Sequence, residues 1–248
     1  MSEELALREA VALACRVLAH QGLVRDIIGH VSARAPGGEG MLLRCRGEDE
    51  YGLAYTSAEQ VRLLDFDGAG DGLGPNHVAP LEAPIHGEIL RSRPEAGAVV
   101  HAHPEYALLC GLAGLELRPI FGAFDPYATG IAVAGVPVYP RPWLIDSPER
   151  ARELTAAMTG HDACLLRGHG IVTVGATVEE AVIRAIKLET LARVTWQLHA
   201  AGVAPRDLAA DELAAFGGVG GPIPGGERWL WRHYVRALDE QPAPWGAA

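Results

Sequence analysis

Between Glu3 and His20 the apolar residues Leu5, Leu7, Val11, Leu13, Val17 and Leu18 recur largely at three- and four-residue intervals, and Gly22 follows. That spacing predicts an α-helix with one apolar stripe and a glycine stop. The period then shortens. HVSARAPGGEGMLLRCR reads as two strand-like stretches around a Gly/Pro turn, a hairpin. RLLDFDG, from Arg62 to Gly68, reads as a short alternating strand ending in a turn, and AGDGLGPNH reads as loop.

Pro84 is placed as the first residue of a helix over IHGEILRS, which Pro94 ends. GAVVHAH then reads as a strand, PEYALLCGLAG as a helix opened by Pro104, and LRPIFGAF and VPVYP as further strands. In SPERARELTAAMTG, Ser147 is the cap, Pro148 lies in the first turn and Gly160 falls beyond the end. ACLLRGHGIVTVG holds two strands broken at Gly168-His169-Gly170.

The clearest helix starts at Thr177, where Glu180 completes a capping box, and it runs to about Ala201 before Gly202. A helix in DLAADELAAF, a Gly/Pro loop GGVGGPIPGG and a last helix ERWLWRHYVRAL follow. No internal repeat or interdomain linker interrupts the pattern. The fold class expected is α/β: one domain over residues 1–248, with a helical C-terminal extension at about 205–240. Its architecture is a three-layer α/β/α sandwich around a mostly antiparallel central sheet.

With 49% hydrophobic and 21% charged residues in 248, the chain can bury a sizeable core. Its net charge of −10 argues against nucleic acid and anionic membrane surfaces as partners, because both require clustered Lys and Arg. A small anion needs only a locally positive site and stays open. The four cysteines, Cys15, Cys45, Cys110 and Cys164, form no CxxC pair and read as reduced, mostly buried thiols. The N-terminus is acidic before it is apolar, unlike a secretory signal, and no run approaches the roughly 18–20 apolar residues of a membrane span. A soluble, cytoplasmic protein is expected.

The chemistry begins in AVVHAHPEYA. Side chains two apart on a strand share a face, so His101 and His103 project together from the end of an apolar strand. Two imidazoles on one face can hold a metal, and an ion needs a third ligand. His169 is the natural candidate, because its glycine neighbours leave room for close approach. Glu82, just ahead of the Pro84 helix, offers a carboxylate. Three imidazoles and a carboxylate suit one divalent ion per subunit: zinc, manganese or iron(II). Against this stands the ordinary role of histidine as a hydrogen-bonded structural or surface residue, which is assigned to His20, His77, His161, His199 and His233.

GHVSAR, from Gly29 to Arg34, SRPEAGAVVHAHP, from Ser92 to Pro104, and LLRGHGIVTVGATVEEA, from Leu165 to Ala181, together resemble the class II aldolase/adducin family. The resemblance covers roughly Glu3 to Gly202, in order. It implies a metal held by an HxH pair and a later histidine, here His101, His103 and His169. The family's acidic residue, ligand or base, stands nineteen positions before the pair, at Glu82. A homotetramer with active sites between subunits is also implied.

The family's sugar-phosphate aldolases cradle phosphate with hydroxyl-bearing turns. Here His30 replaces an Asn, the middle element reads TSAEQ, and Pro80-Leu81 replaces a Ser-Ser pair. A phosphorylated substrate is therefore disfavoured. GHVSAR, LRPIFGAFDP, GVPVYPRP and CLLRGHG instead resemble the branch that decarboxylates hydroxylated aromatic dicarboxylates, such as dihydroxyphthalate or a hydroxypyridine dicarboxylate.

In such chemistry a metal acts as Lewis acid on an ortho-hydroxy acid, and a proton must reach the carbon that loses CO2. Glu82 is the first choice for acid/base, on the expectation that apolar Leu81 and Pro84 raise its pKa; His30 is the second. The second carboxylate of the small anionic aromatic substrate is assigned to the turn of Gly29, Ser32 and Arg34 and the next turn, with Thr56 and Ser57. Tyr127 is a candidate to enter a neighbouring subunit's site. Rival readings are an aldolase for a non-phosphorylated hydroxy-aldehyde or hydroxy-acid, a non-catalytic adducin-like module, and an iron(II) oxygenase.

Overall fold

The computed structural model describes residues 2–219 and 226–240. In chain order the elements are α1 (Glu3–His20), β1 (His30–Arg34), β2 (Met41–Arg44), β3 (Arg46–Gly47), β4 (Val61–Leu64), β5 (His77–Val78), α2 (Ala83–Ser92), β6 (Ala98–Ala102) and α3 (Glu105–Ala113). They continue as α4 (Pro126–Ala134), β7 (Val138–Tyr139), α5 (Pro148–Ala157), β8 (Ala163–Leu166), β9 (Gly170–Gly175), α6 (Val178–Ala200), α7 (Ala210–Val219) and α8 (Gly226–Glu240).

Seven strands form one sheet in the order β4-β2-β1-β6-β9-β8-β7. Every pairing in it is antiparallel except β7 with β8. The alternation of side chains splits the core in two. Val31, Ala33, Leu42, Ala98, Val100 and Ala102 pack with α1 and α6 on one face. Met41, Leu43, Val99, Val172 and Val174 pack with α2 and α5 on the other. The α/β class, the three layers and the mostly antiparallel sheet are those the pattern predicts. Each large apolar side chain removed from water contributes about 1.5–3 kcal/mol, so the two buried faces lock the register that delivers His30 and His101 as direct partners on β1 and β6.

Local chemistry accounts for the helix starts. Ser2, Ser147 and Thr177 accept hydrogen bonds from Leu5, Arg150 and Glu180, capping α1, α5 and α6. Two single-turn 3-10 helices, Leu53–Tyr55 and Ala58–Gln60, lead into β4 and pack against α1.

The structure departs from the sequence pattern at LRPIFGAF, which is not a strand. Pro119 has no N–H to donate to a ladder, and its carbonyl instead accepts from Leu208. The Phe121 and Gly122 carbonyls accept from the Thr129 hydroxyl at 2.8 and 3.2 Å. Leu117 is buried, and Ile120 and Phe121 are partly buried, against the helices on the α6 face. The segment runs directly into α4, a helix the pattern did not announce. Asp125 caps it by accepting from Ala128, and Lys187 of α6 donates to the second Asp125 oxygen at 2.8 Å. In the C-terminal extension, α7 continues through Val219, where a loop is expected from Gly217; residues 220–225 of that loop lie outside the described residues.

Candidate metal centre

Strand β6 ends at the site. His101 is fully buried, with Nδ1 donating to the Ile171 carbonyl of β9 at 2.9 Å. That bond fixes the tautomer and turns Nε2 into the site as a lone pair. His103 presents its own Nε2 to that atom at 2.8 Å. His169 arrives from the β8–β9 turn, where Gly168 adopts φ +70°. A Cβ on Gly170 would lie 2.3 Å from the Ala102 carbonyl oxygen and 3.0 Å from His103 Cδ2, so only glycine lets this turn close on β6. The glycine beside His169 thus allows the close approach expected of it.

Glu82 is the N-cap residue of α2 and is buried. Its Oε1 accepts from the Ile145 amide at 2.8 Å. That bond aims Oε2 at His101 Nε2, 3.3 Å away, and His169 Nε2, 3.4 Å away. The donor atoms of Glu82, His101, His103 and His169 all lie within 4.8 Å of one another.

Two observations test whether this set fits a metal. Among the described residues both ring nitrogens of His169 are buried without a hydrogen-bond partner, a costly state that an ion at the centre of the set relieves at Nε2. The His101 and His103 nitrogens stand closer than two lone pairs tolerate without a proton or cation between them. The residues fit a divalent ion with nitrogen and oxygen ligands.

Electrostatics agree with ligation. Burial, with the neighbouring histidines, holds His103 down at about 3 and His30 well below its ordinary value, so both are neutral at physiological pH. For Glu82, burial raises the pKa, but the close approach of the His101 and His169 rings outweighs it and holds the carboxyl below the usual range. The elevated pKa expected from Leu81 and Pro84 is therefore reversed. Leu81 points away, largely exposed, and the carboxylate faces imidazoles instead.

A second layer lies beside the cluster. The His30 ring centroid is 5.0 Å from that of His101, and His30 Nδ1 meets His86 Nε2 at 2.6 Å. His86 Nδ1 meets the Ser32 hydroxyl at 2.7 Å. His86 is fully buried, and burial with its neighbours lowers it to about 3. Sequence reasoning missed it, although Glu82 and His86 stand four apart on one helix face, opposite His30 and Ser32, two apart on one strand face.

The other expected site residues sit elsewhere. Gly29, at φ +92°, lies against Val24 and the His101 carbonyl, where a side chain would clash. Arg34 is about 13 Å further along β1 than His30; its guanidinium donates to the carbonyls of Gly38, Leu90, Arg93 and Ala96. Thr56 is buried in the turn beneath α1, and the Ser57 amide donates to Gln60 Oε1. Tyr127 lines a cavity of about 480 Å³ between α4 and α6, together with Lys187 and Arg184. These bonds of Arg34 and Ser57 lead to backbone and to Gln60, not to the four-residue cluster.

Residues 9–196 match the class II aldolase and adducin N-terminal domain. The chain belongs to this family. As a class II aldolase family member it is 47% identical over 235 residues to 3,4-dihydroxyphthalate decarboxylase of Arthrobacter keyseri, covering 94% of each chain. It is 48% identical over 238 residues to the protein of the same name from Terrabacter sp. (strain DBF63), covering 93% of this chain and 96% of that one. Among solved structures, L-fuculose 1-phosphate aldolase from Glaciozyma antarctica PI12 superposes with a TM-score of 0.79 at 21% identity, over 96% of this chain and 90% of that one. This likeness supports the family fold.

Proposed function

We propose that this enzyme is a carboxy-lyase that removes CO2 from an ortho-hydroxylated aromatic dicarboxylate of the 3,4-dihydroxyphthalate type. The observation that carries the reading is the converged Glu82, His101, His103 and His169 set in a chain similar over nearly its whole length to 3,4-dihydroxyphthalate decarboxylases. The loop that bonds Glu82 supports it: Trp143 and Leu144, just before the Ile145 amide, are exposed and offer an apolar surface suited to an aromatic ring.

His101, His103, His169 and Glu82 would hold one divalent ion, zinc, manganese or iron, which supplies Lewis-acid polarisation of a neighbouring hydroxyl and carboxylate. The chain's own groups then divide the proton work. Glu82, ionised at rest, accepts the phenolic proton and delivers it to the ring carbon bearing the carboxylate. Cleavage of that carbon's bond to the carboxylate releases CO2; the electron pair returns to the oxygen, aromaticity is restored, and a solvent proton reforms the phenol. His30, neutral, donates a hydrogen bond to the substrate. We assign the second carboxylate to Arg167, two residues before His169, whose exposed guanidinium is tied to the Pro140 carbonyl.

Assembly as a homotetramer with active sites between subunits belongs to the same reading. It is supported by the partial exposure of His103 and by exposed Leu112 beside the His169 turn. So does a cytoplasmic location: all four cysteines are free and buried, and burial pushes their thiols up to about 12. No helix among the described residues is long and apolar enough to cross a membrane.

The test is anaerobic incubation of metal-loaded enzyme with 3,4-dihydroxyphthalate and related hydroxy-dicarboxylates. CO2 release that stops with a chelator is the expected result. Aldehyde release from hydroxy-acids or sugars, with no CO2 from any dicarboxylate, overturns it.

A further inference from the structure

We propose that His86, held by Ser32, is a positioning residue that fixes His30 in one orientation and one tautomer, with Nε2–H facing the open side of the metal centre. The inference rests on the reading of this centre as the catalytic site and adds residues that reading does not use.

The argument is an accounting of donors. Ser32 is fully buried, and the only partner of its hydroxyl among the described residues is His86 Nδ1. If Ser32 accepted from His86, its own O–H would be a buried donor with no acceptor, which costs about 1–3 kcal/mol. Ser32 therefore donates to His86 Nδ1. A neutral imidazole that accepts at Nδ1 carries its proton on Nε2, so His86 donates across the 2.6 Å contact to His30 Nδ1. His30, accepting there, must carry its own proton on Nε2.

That atom lies on the far side of the ring from His86 and has no partner among the described residues. Yet it is not among the buried, unsatisfied polar atoms, so it reaches solvent, on a ring whose centroid lies 5.0 Å from that of His101. The chain Ser32→His86→His30 thus exports one hydrogen-bond donor from the sheet to the rim of the metal centre. Both ends are rigid. Ser32 and His30 share one face of β1, and His86 sits four residues into α2 from the Glu82 ligand, so the element that carries the ligand also sets the donor.

The opposite direction is a distinct structure with a distinct consequence. With Nδ1–H, His30 would offer a lone pair at Nε2 and become a fourth imidazole for the ion, not a donor for substrate.

The experiment combines two-bond ¹H–¹⁵N correlation spectra of ¹⁵N-histidine-labelled protein, metal-free and zinc-loaded, with steady-state kinetics on 3,4-dihydroxyphthalate. Wild type is expected to show His30 as a single Nε2–H tautomer in both forms. Ser32→Ala removes the donor that orients His86, and His30 then populates both tautomers. His86→Leu lowers kcat by about 10–100-fold, the usual cost of losing an outer hydrogen-bond partner, with KM, bound metal and melting temperature changed far less. His86→Gln, whose amide offers one acceptor to Ser32 and one donor to His30, recovers most of that loss.

An Nδ1–H His30 in wild type overturns the proposal. So does a tautomer unchanged in Ser32→Ala, or a Gln variant no better than Leu. If no dicarboxylate yields CO2, the functional reading fails, while the spectra on metal-free protein still decide the role of His86.

Discussion

The Nε2 atoms of His101 and His103 stand 2.8 Å apart, although the bond from His101 Nδ1 to the Ile171 carbonyl commits His101 Nε2 to a lone pair. Two ring nitrogens converge at this distance only with a proton or cation between them. His101→Ala removes one ligand and that convergence. Bound metal measured by mass spectrometry should fall well below one ion per subunit, and CO2 release should drop by more than the roughly 100-fold lost on removing an outer-layer partner. Full metal retention in this variant would sink the assignment of the cluster.

Glu82→Gln separates ligation from folding. The glutamine carbonyl can still accept from the Ile145 amide, so α2 keeps its anchor. Its amide group, however, replaces the oxygen that faced His101 and His169 with a donor and abolishes the base. Activity should fall about 10²–10⁴-fold, in the range for loss of a general acid–base group, while the circular dichroism spectrum is unchanged.

Gly170→Ala probes the seam between β6 and β9. The added methyl meets the Ala102 carbonyl and His103 Cδ2, and neither can yield without moving a strand that carries a ligand. A destabilisation of about 1–3 kcal/mol is expected, together with weaker metal retention; denaturant titration and metal competition measure the two effects.

The candidate ligands could be picked out because the three histidines are marked locally. His101 lies on β6 and His103 one residue past its end, two apart as the strand period predicts, and His169 is bracketed by Gly168, at positive φ, and Gly170, where a side chain would meet the Ala102 carbonyl. What escaped the sequence depends on partners distant in the chain. LRPIFGAF carries strand-like composition, but apolar periodicity cannot report that a proline interrupts the donors and that a threonine ten residues on takes the carbonyls. His86 resembles any helix histidine until α2 is laid against β1. The pKa of Glu82 was misread for the same reason: its sequence neighbours are apolar, while its neighbours in space are imidazoles.

Arg34 illustrates the same limit and can be tested directly. Its guanidinium ties β1 to backbone carbonyls at the end of α2 and in the turn after it. Arg34→Ala leaves those carbonyls unsatisfied and should cost about 2 kcal/mol, since bonds from a charged donor each contribute about 1.5–3 kcal/mol where they are not replaced by water. KM for 3,4-dihydroxyphthalate should change less than about 2-fold by that account, whereas loss of a direct substrate contact would raise it by the tenfold that each 1.4 kcal/mol represents. Arg167→Ala should show the reverse pattern.

Glu189 gives the fold a pH dependence of its own. Its carboxylate oxygens accept from the amides of Tyr106 and Ala107 at 2.9 Å each, bracing the first turn of α3 just after His103. Burial pushes its pKa up to about 7, against the pull of those two amides. In the unfolded chain the group titrates near 4.5, its ordinary value. Between these points the native state holds a proton that the unfolded state has lost, so stability falls as pH rises from about 4.5 through about 7, by about 3 kcal/mol. Glu189→Gln cannot titrate. Whatever constant offset the substitution introduces by placing an amide against a backbone N–H, its stability should be flatter than wild type over this window. Urea melts at half-unit pH steps from 5 to 8 read the difference, and parallel curves for the two proteins would mean that Glu189 stays ionised throughout.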